Sequence, residues 1–175
     1  DNIYQAPLAL EKAGLGFAVC RKLNLTKMAV DLEPWENLNA KLRNPKDEVE
    51  IAIVGKYVEY EDSYKSLNEA LYHGGYPLDL KTKIRWVEAE ELAEPKANIK
   101  SHFKDVDGIL VPGGFGNRGV EGMINAVKYA RENKVPFMGI CLGMQCATIE
   151  YARKVAGLGA HSIEFDEETP HPIFF

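Results

Sequence analysis

The sequence is poor in the features that mark several classes of protein. Its 175 residues include three cysteines, Cys20, Cys141 and Cys146, and no two of them form a C-x-x-C pair. An odd number of cysteines argues against a disulfide framework and fits a reducing compartment, while the missing C-x-x-C spacing argues against a structural zinc site. We therefore expect no metal site.

Long hydrophobic runs and blocks of like charge are also absent. No apolar stretch reaches the roughly 20 residues that a membrane-spanning helix needs, and no basic and then apolar leader stands at Asp1. The net charge of −5 arises from 21 basic and 26 acidic residues that are intermixed along the chain. These absences predict a globular protein of the cytoplasm that binds neither nucleic acid nor a membrane.

The residue pattern differs between two regions. Residues 1–47 contain short helical patterns at 8–13, at 17–23 and after Asp31, separated by glycine and proline. From Val49 onward, short apolar runs alternate with amphipathic segments. Strands are predicted at 49–54, 80–87, 108–111 and 137–140, and helices at 64–73, 120–132 and 142–155. The boundary is predicted in the polar, proline-marked linker 44–47.

The alternation predicts an α/β fold with a mainly parallel open sheet flanked by helices, preceded by a short helical N-terminal segment. Parallel strands need crossover connections, which are usually helices. In such folds the chemistry collects at the carboxyl ends of the strands, where helices begin. Three corners of this kind occur, at residues 55–57, 113–119 and 139–143. The first, Gly55-Lys56-Tyr57, is either a polar edge of a site or a simple turn, and taken alone it favours the turn.

The second corner is rich in glycine. Gly114-Phe115-Gly116-Asn117-Arg118-Gly119 has the G-x-G-x-x-G spacing of a dinucleotide fingerprint. That fingerprint normally follows the first strand and is completed by an acidic residue at the end of the next strand, whereas here the next strand ends in Gly139-Ile140-Cys141. The sequence therefore disfavours a dinucleotide site. It leaves a simple glycine-rich turn or a loop whose exposed N–H groups face a ligand.

The third corner places a cysteine between small residues. In Gly139-Ile140-Cys141-Leu142-Gly143 the chain can turn sharply from strand to helix and expose the sulfur, as in a nucleophile elbow. The N–H groups and dipole of the following helix favour a thiolate. Cys141 is therefore predicted to be a nucleophile, with oxyanion donors from the Leu142 backbone and the glycine-rich strand end. Cys20 and Cys146 are predicted to be buried small hydrophobic residues.

Several stretches resemble one known family. G-I-C-L-G-M-Q at 139–145 resembles the nucleophile motif of class I, triad-type glutamine amidotransferases. V-P-G-G-F-G-N-R-G-V-E-G at 111–122 is similar to the oxyanion strand and loop of one branch, in which a synthetase domain precedes the amidotransferase domain. Residues 1–11 resemble the end of that synthetase domain, and residues 152–172 continue the match. The resemblance covers nearly the whole chain and implies a flavodoxin-like amidotransferase domain at 48–175, after a synthetase end and linker at 1–47.

The resemblance also implies residue roles. Cys141 would attack the side-chain amide of glutamine and release ammonia, and Gly113 and Leu142 would donate N–H groups to the oxyanion. Four residues match positions that contact glutamine, namely Gly114, Phe115, Gln145 and Glu164, of which Glu164 would pair with the α-amino group. The loop at 116–122 matches a lid linked to activation by GTP, and its candidate residues are Gly116, Arg118, Gly119 and Glu121.

The remaining implications concern the whole enzyme. In this branch ammonia passes to the synthetase domain, where ATP and Mg²⁺ activate UTP for amination, and the enzyme is a homotetramer. No cofactor is expected in the amidotransferase domain itself.

The H-x-E motif that completes the family's triad does not occur at any of the four histidines, His73, His102, His161 and His171. We therefore expect a sequence that is incomplete at its C-terminal end and inactive by itself. His73 is expected to cap a helix and His161 to lie in a surface loop. The alternative is a non-catalytic relative that keeps an exposed cysteine for redox sensing, or the domain for assembly. Gln145, Glu164 and the glycine loop favour the catalytic interpretation.

Overall fold

The computed structural model describes residues 2–26, 29–56, 58 and 61–175. Tyr57, part of the first predicted corner, lies outside the described residues. The chain divides into two compact units, Asp1–Glu48 with Ala70–Lys81 and Val49–Glu69 with Thr82–Phe175. The first unit thus includes residues 70–81, which the sequence pattern placed in the second region. The assignment of residues 1–47 to a synthetase domain stays a prediction.

The first unit is helical. It contains α1 (Ala6–Lys12), α2 (Leu15–Lys22) and α3 (Glu33–Arg43), which correspond to the three predicted helical segments. The buried Asn39 amide donates to the carbonyl oxygens of Tyr4 and Trp35, both at 2.8 Å, and so ties α3 to the N-terminal segment. Salt bridges join Asp79 to Lys41 and Lys46. Several large apolar side chains of α1, α2 and the residues after them are exposed: Leu10, Leu15, Phe17, Val19, Leu23 and Leu25.

The second unit is built around a four-stranded sheet. The strands are β1 (Asp47–Gly55), β2 (Leu80–Glu88), β3 (Gly108–Val111) and β4 (Phe137–Gly139), in the order β2-β1-β3-β4. β1 and β3 pair in parallel with Ile51 opposite Gly108, and β3 and β4 pair in parallel with Ile109 opposite Phe137. The connecting helices are α5 (Ile99–His102), α6 (Val120–Asn133), α7 (Leu142–Lys154) and α4 (Lys65–Gly75), of which residues 70–75 belong to the first unit. The predicted α/β fold with a mainly parallel sheet is confirmed.

The central strands are continuously apolar because both faces of the sheet are covered. Residues 52–54 of β1 and 109–111 of β3 are almost completely buried. Alternate residues of these two strands, such as Val54 and Val111, share an apolar cluster with residues of α6 and α7 such as Met123 and Ile149. In an open sheet with this strand order, β1 and β3 lie on either side of the topological switch point. The fold therefore brings the ends of β1, β3 and β4 to one edge.

Some elements and environments differ from the expectations. Two short strands, β5 (Ala160–Ser162) and β6 (His171–Phe174), form a separate parallel pair that no periodic pattern predicts. His161 lies in β5 and is only 9% exposed, so the expectation of a surface loop is wrong. Cys146 is fully buried as predicted, whereas Cys20 is only half-buried. No helix in the described part of the chain is long and apolar enough to cross a membrane.

Helix α6 approaches the turn at residues 89–93 too closely for a side chain at Gly122. A Cβ atom placed on Gly122 would lie 1.7 Å from the carbonyl oxygen of Ala89. Gly122→Ala is therefore expected to lower the free energy of unfolding by about 1–3 kcal/mol, the usual cost of overpacking. Urea denaturation followed by circular dichroism measures this change.

Gly74→Ala is the matched control, because Gly74 also lies in a helix but a Cβ atom there meets nothing within 4 Å. Removing a helical glycine from open space is expected to raise the free energy of unfolding by about 0.5 kcal/mol, since alanine loses less backbone entropy on folding. Equal effects of the two substitutions would contradict the close contact at Gly122.

Candidate active site

Three strand ends form the candidate site. Lys56 follows β1, Gly113 and Gly114 follow β3, and Cys141 follows β4. A Cβ atom placed on Gly113 would lie 3.6 Å from the Cβ atom of Cys141, and one placed on Gly114 would lie 3.3 Å from Leu142 Cδ2 and 3.8 Å from Lys56 Cε. The structure therefore brings the sequence-predicted nucleophile, both predicted oxyanion residues and the first glycine of the loop together.

Cys141 occupies a sharp turn between β4 and α7. Its backbone has φ 52° and ψ −105°, a conformation that costs a non-glycine residue free energy. Cys141 is also exposed. The turn is closed by the Gly143 N–H, which donates to the Ile140 carbonyl at 2.9 Å, and by the Gln145 N–H, which donates to the Cys141 carbonyl at 3.1 Å. This geometry presents the Cys141 thiol at the N-terminus of α7.

The turn depends on direct contact between backbones. A Cβ atom on Gly139 would lie 2.4 Å from the carbonyl carbon of Gly143, and one on Gly143 would lie 2.1 Å from the carbonyl oxygen of Val111. Neither position has room for a side chain. The small residues that the sequence places around the cysteine are therefore required by the packing of α7 on the ends of β3 and β4.

Two residues next to Cys141 carry backbone donors. Among the backbone hydrogen bonds of the described residues, none uses the N–H of Gly113 or of Leu142. Gly113 lies near the Cys141 Cβ atom, and Leu142 follows Cys141 and opens the first turn of α7, where the helix dipole attracts negative charge. This arrangement can stabilise the oxyanion that forms when a thiolate attacks a carbonyl carbon.

Gln145 and Glu164 supply polar groups near the same corner. Gln145 lies in the first turn of α7, and its Oε1 is buried with no hydrogen-bond partner among the described residues. A buried acceptor of this kind is costly unless a ligand or water donates to it. Glu164 is exposed, and its Oε1 accepts the Gly116 N–H at 3.2 Å. Phe115, also predicted to contact the substrate, is 86% exposed at the rim.

Lys56 is the site residue that the sequence interpretation treated as part of a turn. It is 4% exposed, and its Nζ donates to the carbonyl oxygens of Phe115, at 3.0 Å, and Gly116. Burial, the largest effect, lowers the pKa of Lys56, and Arg118 acts in the same direction while Glu164 and Glu90 oppose it. A lysine directly after a buried apolar strand was the available signal.

The glycine loop is held by these contacts. Arg118 donates to the Lys56 carbonyl and, at 2.7 Å, to Glu90. Glu121 lies in the first turn of α6 and accepts two hydrogen bonds from Arg153, at 2.8 and 3.1 Å. The predicted loop at 116–122 therefore ends at Gly119, because residues 120–122 are helical.

The glycine spacing has a packing explanation. Gly119 has φ 72°, and a Cβ atom there would lie 3.0 Å from the Cβ atom of Ala89 and 3.7 Å from Lys56 Cγ. Together with Gly114, this glycine leaves room for the aliphatic part of Lys56. The G-x-G-x-x-G spacing thus accommodates a lysine of the same chain, in agreement with the sequence argument against a dinucleotide site.

The histidines make contacts of their own. His73 Nε2 lies 2.6 Å from the Tyr4 hydroxyl within the first unit. His161 Nδ1 accepts the Ser162 N–H at 3.0 Å, and burial followed by Arg153 lowers the pKa of His161. With Nδ1 occupied, the neutral ring carries its proton on Nε2 and has no free acceptor. In the described ranges, no group of three or more His, Cys, Asp or Glu residues is arranged to hold a metal ion.

The strained backbone of Cys141 predicts that glycine at this position gives a more stable protein than alanine does. Cys141→Gly is expected to give a free energy of unfolding about 1 kcal/mol higher than Cys141→Ala, because glycine adopts a positive φ without the strain that any Cβ atom brings. The comparison with alanine removes the effect of losing the sulfur. Urea denaturation of both variants measures the difference, and a glycine variant less stable than the alanine variant would contradict the strained turn.

Comparisons with known proteins agree with this geometry. The family model for glutamine amidotransferase class-I matches residues 59–171. CTP synthase of Acidobacterium capsulatum is 55% identical over 176 residues, covering 100% of this chain and 32% of that protein. CTP synthase of Methanocaldococcus jannaschii is 54% identical over 177 residues, covering 98% of this chain and 33% of that protein. The chain thus spans about a third of the length of the curated relatives it matches.

A solved structure gives the same result. The glutaminase domain of Trypanosoma brucei CTPS with bound acivicin matches with a TM-score of 0.66 and 44% identity, covering 70% of this chain and 48% of that chain. The matched family region includes the second and third corners, and with them Gly113, Cys141 and Leu142. The chain therefore belongs to the glutamine amidotransferase class-I family.

Proposed function

We propose that this chain hydrolyses glutamine at Cys141 and supplies the ammonia to a synthetase that aminates UTP to CTP. The observation that carries the proposal is the position of Cys141, exposed in a strained turn at a helix N-terminus and next to the residues Gly113 and Leu142. A cysteine that serves only as a packing residue has no need of this conformation.

The proposed reaction proceeds in two steps. The Cys141 thiolate attacks the side-chain amide carbon of glutamine, and the Gly113 and Leu142 N–H groups stabilise the oxyanion of the tetrahedral intermediate. When the C–N bond breaks, the leaving nitrogen takes up a proton and departs as ammonia, and a glutamyl thioester remains on Cys141. Water then attacks the thioester, which releases glutamate and returns the thiol.

Recognition of glutamine is assigned to the groups around the turn. The unpaired Oε1 of Gln145 can accept an N–H from the substrate, and the Glu164 carboxylate can pair with its α-ammonium group. Gly114 and Phe115 would line the entrance, where the Phe115 ring is exposed. These roles rest on the family resemblance together with the positions of the residues.

The proposed general base lies outside these 175 residues. None of the four histidines belongs to an H-x-E motif, and His161 has no free ring acceptor. The 175-residue chain by itself is therefore expected to have negligible glutaminase activity.

Similarity to the two CTP synthases, over 98–100% of this chain, supports the role in a larger enzyme. In that enzyme the synthetase domain would use ATP and Mg²⁺ to activate UTP, and the assembly would be a homotetramer. Activation by GTP is proposed at the loop of Gly116, Arg118 and Gly119 with Glu121. The guanidinium of Arg118 already pairs with Glu90, so a nucleotide phosphate would compete with that carboxylate. A cytoplasmic location stays a prediction.

A redox-sensing or assembly role for the domain is less well supported. Burial raises the pKa of the Cys146 thiol to about 12, so this second cysteine is not a reactive partner for Cys141. A sensor would also have no use for an unpaired buried acceptor on Gln145, in the first turn of the helix that follows Cys141.

The test is glutamine turnover and covalent labelling. In the full-length protein, Cys141→Ala is expected to abolish glutamine hydrolysis, while synthesis from added ammonia continues because it bypasses the nucleophile. Diazo-oxo-norleucine, an electrophilic glutamine analogue, is expected to add once per chain, and peptide mass spectrometry is expected to map the adduct to Cys141.

Cys20→Ala is the control, since Cys20 belongs to the first unit and the proposed site to the second, and it is expected to retain turnover and labelling. Undiminished glutamine hydrolysis by Cys141→Ala would refute the proposal. Turnover by the 175-residue chain well above that of its Cys141→Ala variant would refute the assignment of the base to a segment outside it.

A further inference from the structure

We infer that Lys56 is a positioning residue for glutamine hydrolysis, fixing the Phe115–Gly116 peptide and, through it, the carboxylate of Glu164. The inference rests on the proposed function, because it concerns how glutamine is held at the same site. Lys56 itself is not proposed to touch the substrate.

The Lys56 ammonium makes its hydrogen bonds to the loop. Its side chain is buried, and Nζ donates to the carbonyl oxygens of Phe115 and Gly116. An ammonium group has three donors and no acceptor, so two adjacent carbonyl groups are suitable partners. A buried charge is tolerated only when it is hydrogen-bonded, which makes these two contacts a requirement for Lys56 to remain in place.

The peptide group between Phe115 and Gly116 is held from both sides. Its carbonyl accepts from Lys56 at 3.0 Å, and its N–H donates to Glu164 Oε1 at 3.2 Å. In a planar trans peptide these two groups point in opposite directions, so the peptide lies between an ammonium and a carboxylate. Rotation of this peptide would break both contacts together. The position of Glu164 is therefore linked to Lys56 by a single rigid unit.

A second contact joins the loop to the backbone of Lys56. Arg118, two residues after Gly116, donates to the Lys56 backbone carbonyl and to Glu90. Both ends of the loop at 115–118 are thus attached to Lys56, one through its side chain and one through its backbone. The aliphatic part of the lysine lies within 4 Å of the positions that Cβ atoms on Gly114 and Gly119 would take. The loop therefore has a fixed conformation relative to the end of β1.

This arrangement predicts which kinetic parameter changes. Glu164 is the proposed partner of the α-ammonium group of glutamine, which is present in both the ground state and the transition state. Loss of its support should weaken binding and raise KM, with a smaller effect on kcat. The nucleophile itself depends on the Gly139–Gly143 contact and should be unaffected.

The experiment uses the full-length protein with Lys56→Met, which keeps most of the unbranched apolar side chain but has no donor. The concentration of diazo-oxo-norleucine that half-saturates labelling of Cys141, and the KM for glutamine, are expected to rise by about ten- to a hundredfold, the usual effect of losing a charged hydrogen bond. Labelling of Cys141 by iodoacetamide, which needs no glutamine pocket, is expected to stay within about twofold of wild type.

Four further variants test the same link. Lys104→Met removes an exposed lysine elsewhere in the unit. It should change neither the half-saturating concentration of diazo-oxo-norleucine nor the labelling by iodoacetamide. Glu164→Gln should raise the half-saturating concentration as Lys56→Met does, and the double variant should lose less than the product of the two single effects. Lys56→Gln keeps a polar group in the buried position but is too short to reach both carbonyl groups. It should reproduce the loss, and it replaces Lys56→Met if that variant does not fold.

The outcomes separate the inference from the proposed function. If wild-type Cys141 shows no saturable labelling by the glutamine analogue, the proposed function fails. If wild type is labelled saturably and both Lys56 variants behave like it, the inference alone is wrong. A parallel fall in iodoacetamide labelling would also overturn the inference, because it would show general damage to the turn at Cys141. Fully multiplicative effects of Lys56→Met and Glu164→Gln would exclude the link through the peptide.

Discussion

The site depends on the parallel pairing that ends three neighbouring strands at one edge of the sheet. Val111 lies opposite Gly139 in the β3–β4 pair, so the residues that follow these strands are forced together although they are separated in sequence. β1 lies on the other side of β3 and brings Lys56 to the same edge. The strand pairing therefore brings a thiol, backbone donors and a buried cation together. No long-range contact between the side chains is needed to create the arrangement.

The charge distribution at this edge follows from the same placement. The Lys56 ammonium is withdrawn from water and is balanced by loop carbonyls and by the carboxylates of Glu164 and Glu90. Arg118 provides a second cation that pairs with Glu90. Cations and carboxylates thus surround the backbone of the loop, to which Phe115 contributes its carbonyl group while the residue itself is largely exposed.

The sequence predicted the regular elements well and the irregular ones poorly. Long periodic segments such as α6 and α7 and apolar runs such as β3 carry clear patterns, and the predicted bounds lie within about two residues of the observed ones. β5 has three residues and shows no period, so the burial of His161 could not be predicted. The burial of Lys56 was also missed, because a lysine after a strand looks like a solvated turn unless the loop that covers it is known. The G-I-C-L-G turn was readable because its glycines reflect a local steric requirement.

The contact of Gly139 and Gly143 with backbone atoms also limits how this site can be redesigned. Because both positions lack room for a Cβ atom, any library of variants around the nucleophile has to keep glycine at 139 and 143. Useful diversity is confined to positions such as Met144, which is exposed on the outer face of the first turn. The chemistry at position 141 can therefore be exchanged for another nucleophile more readily than the frame around it can be altered.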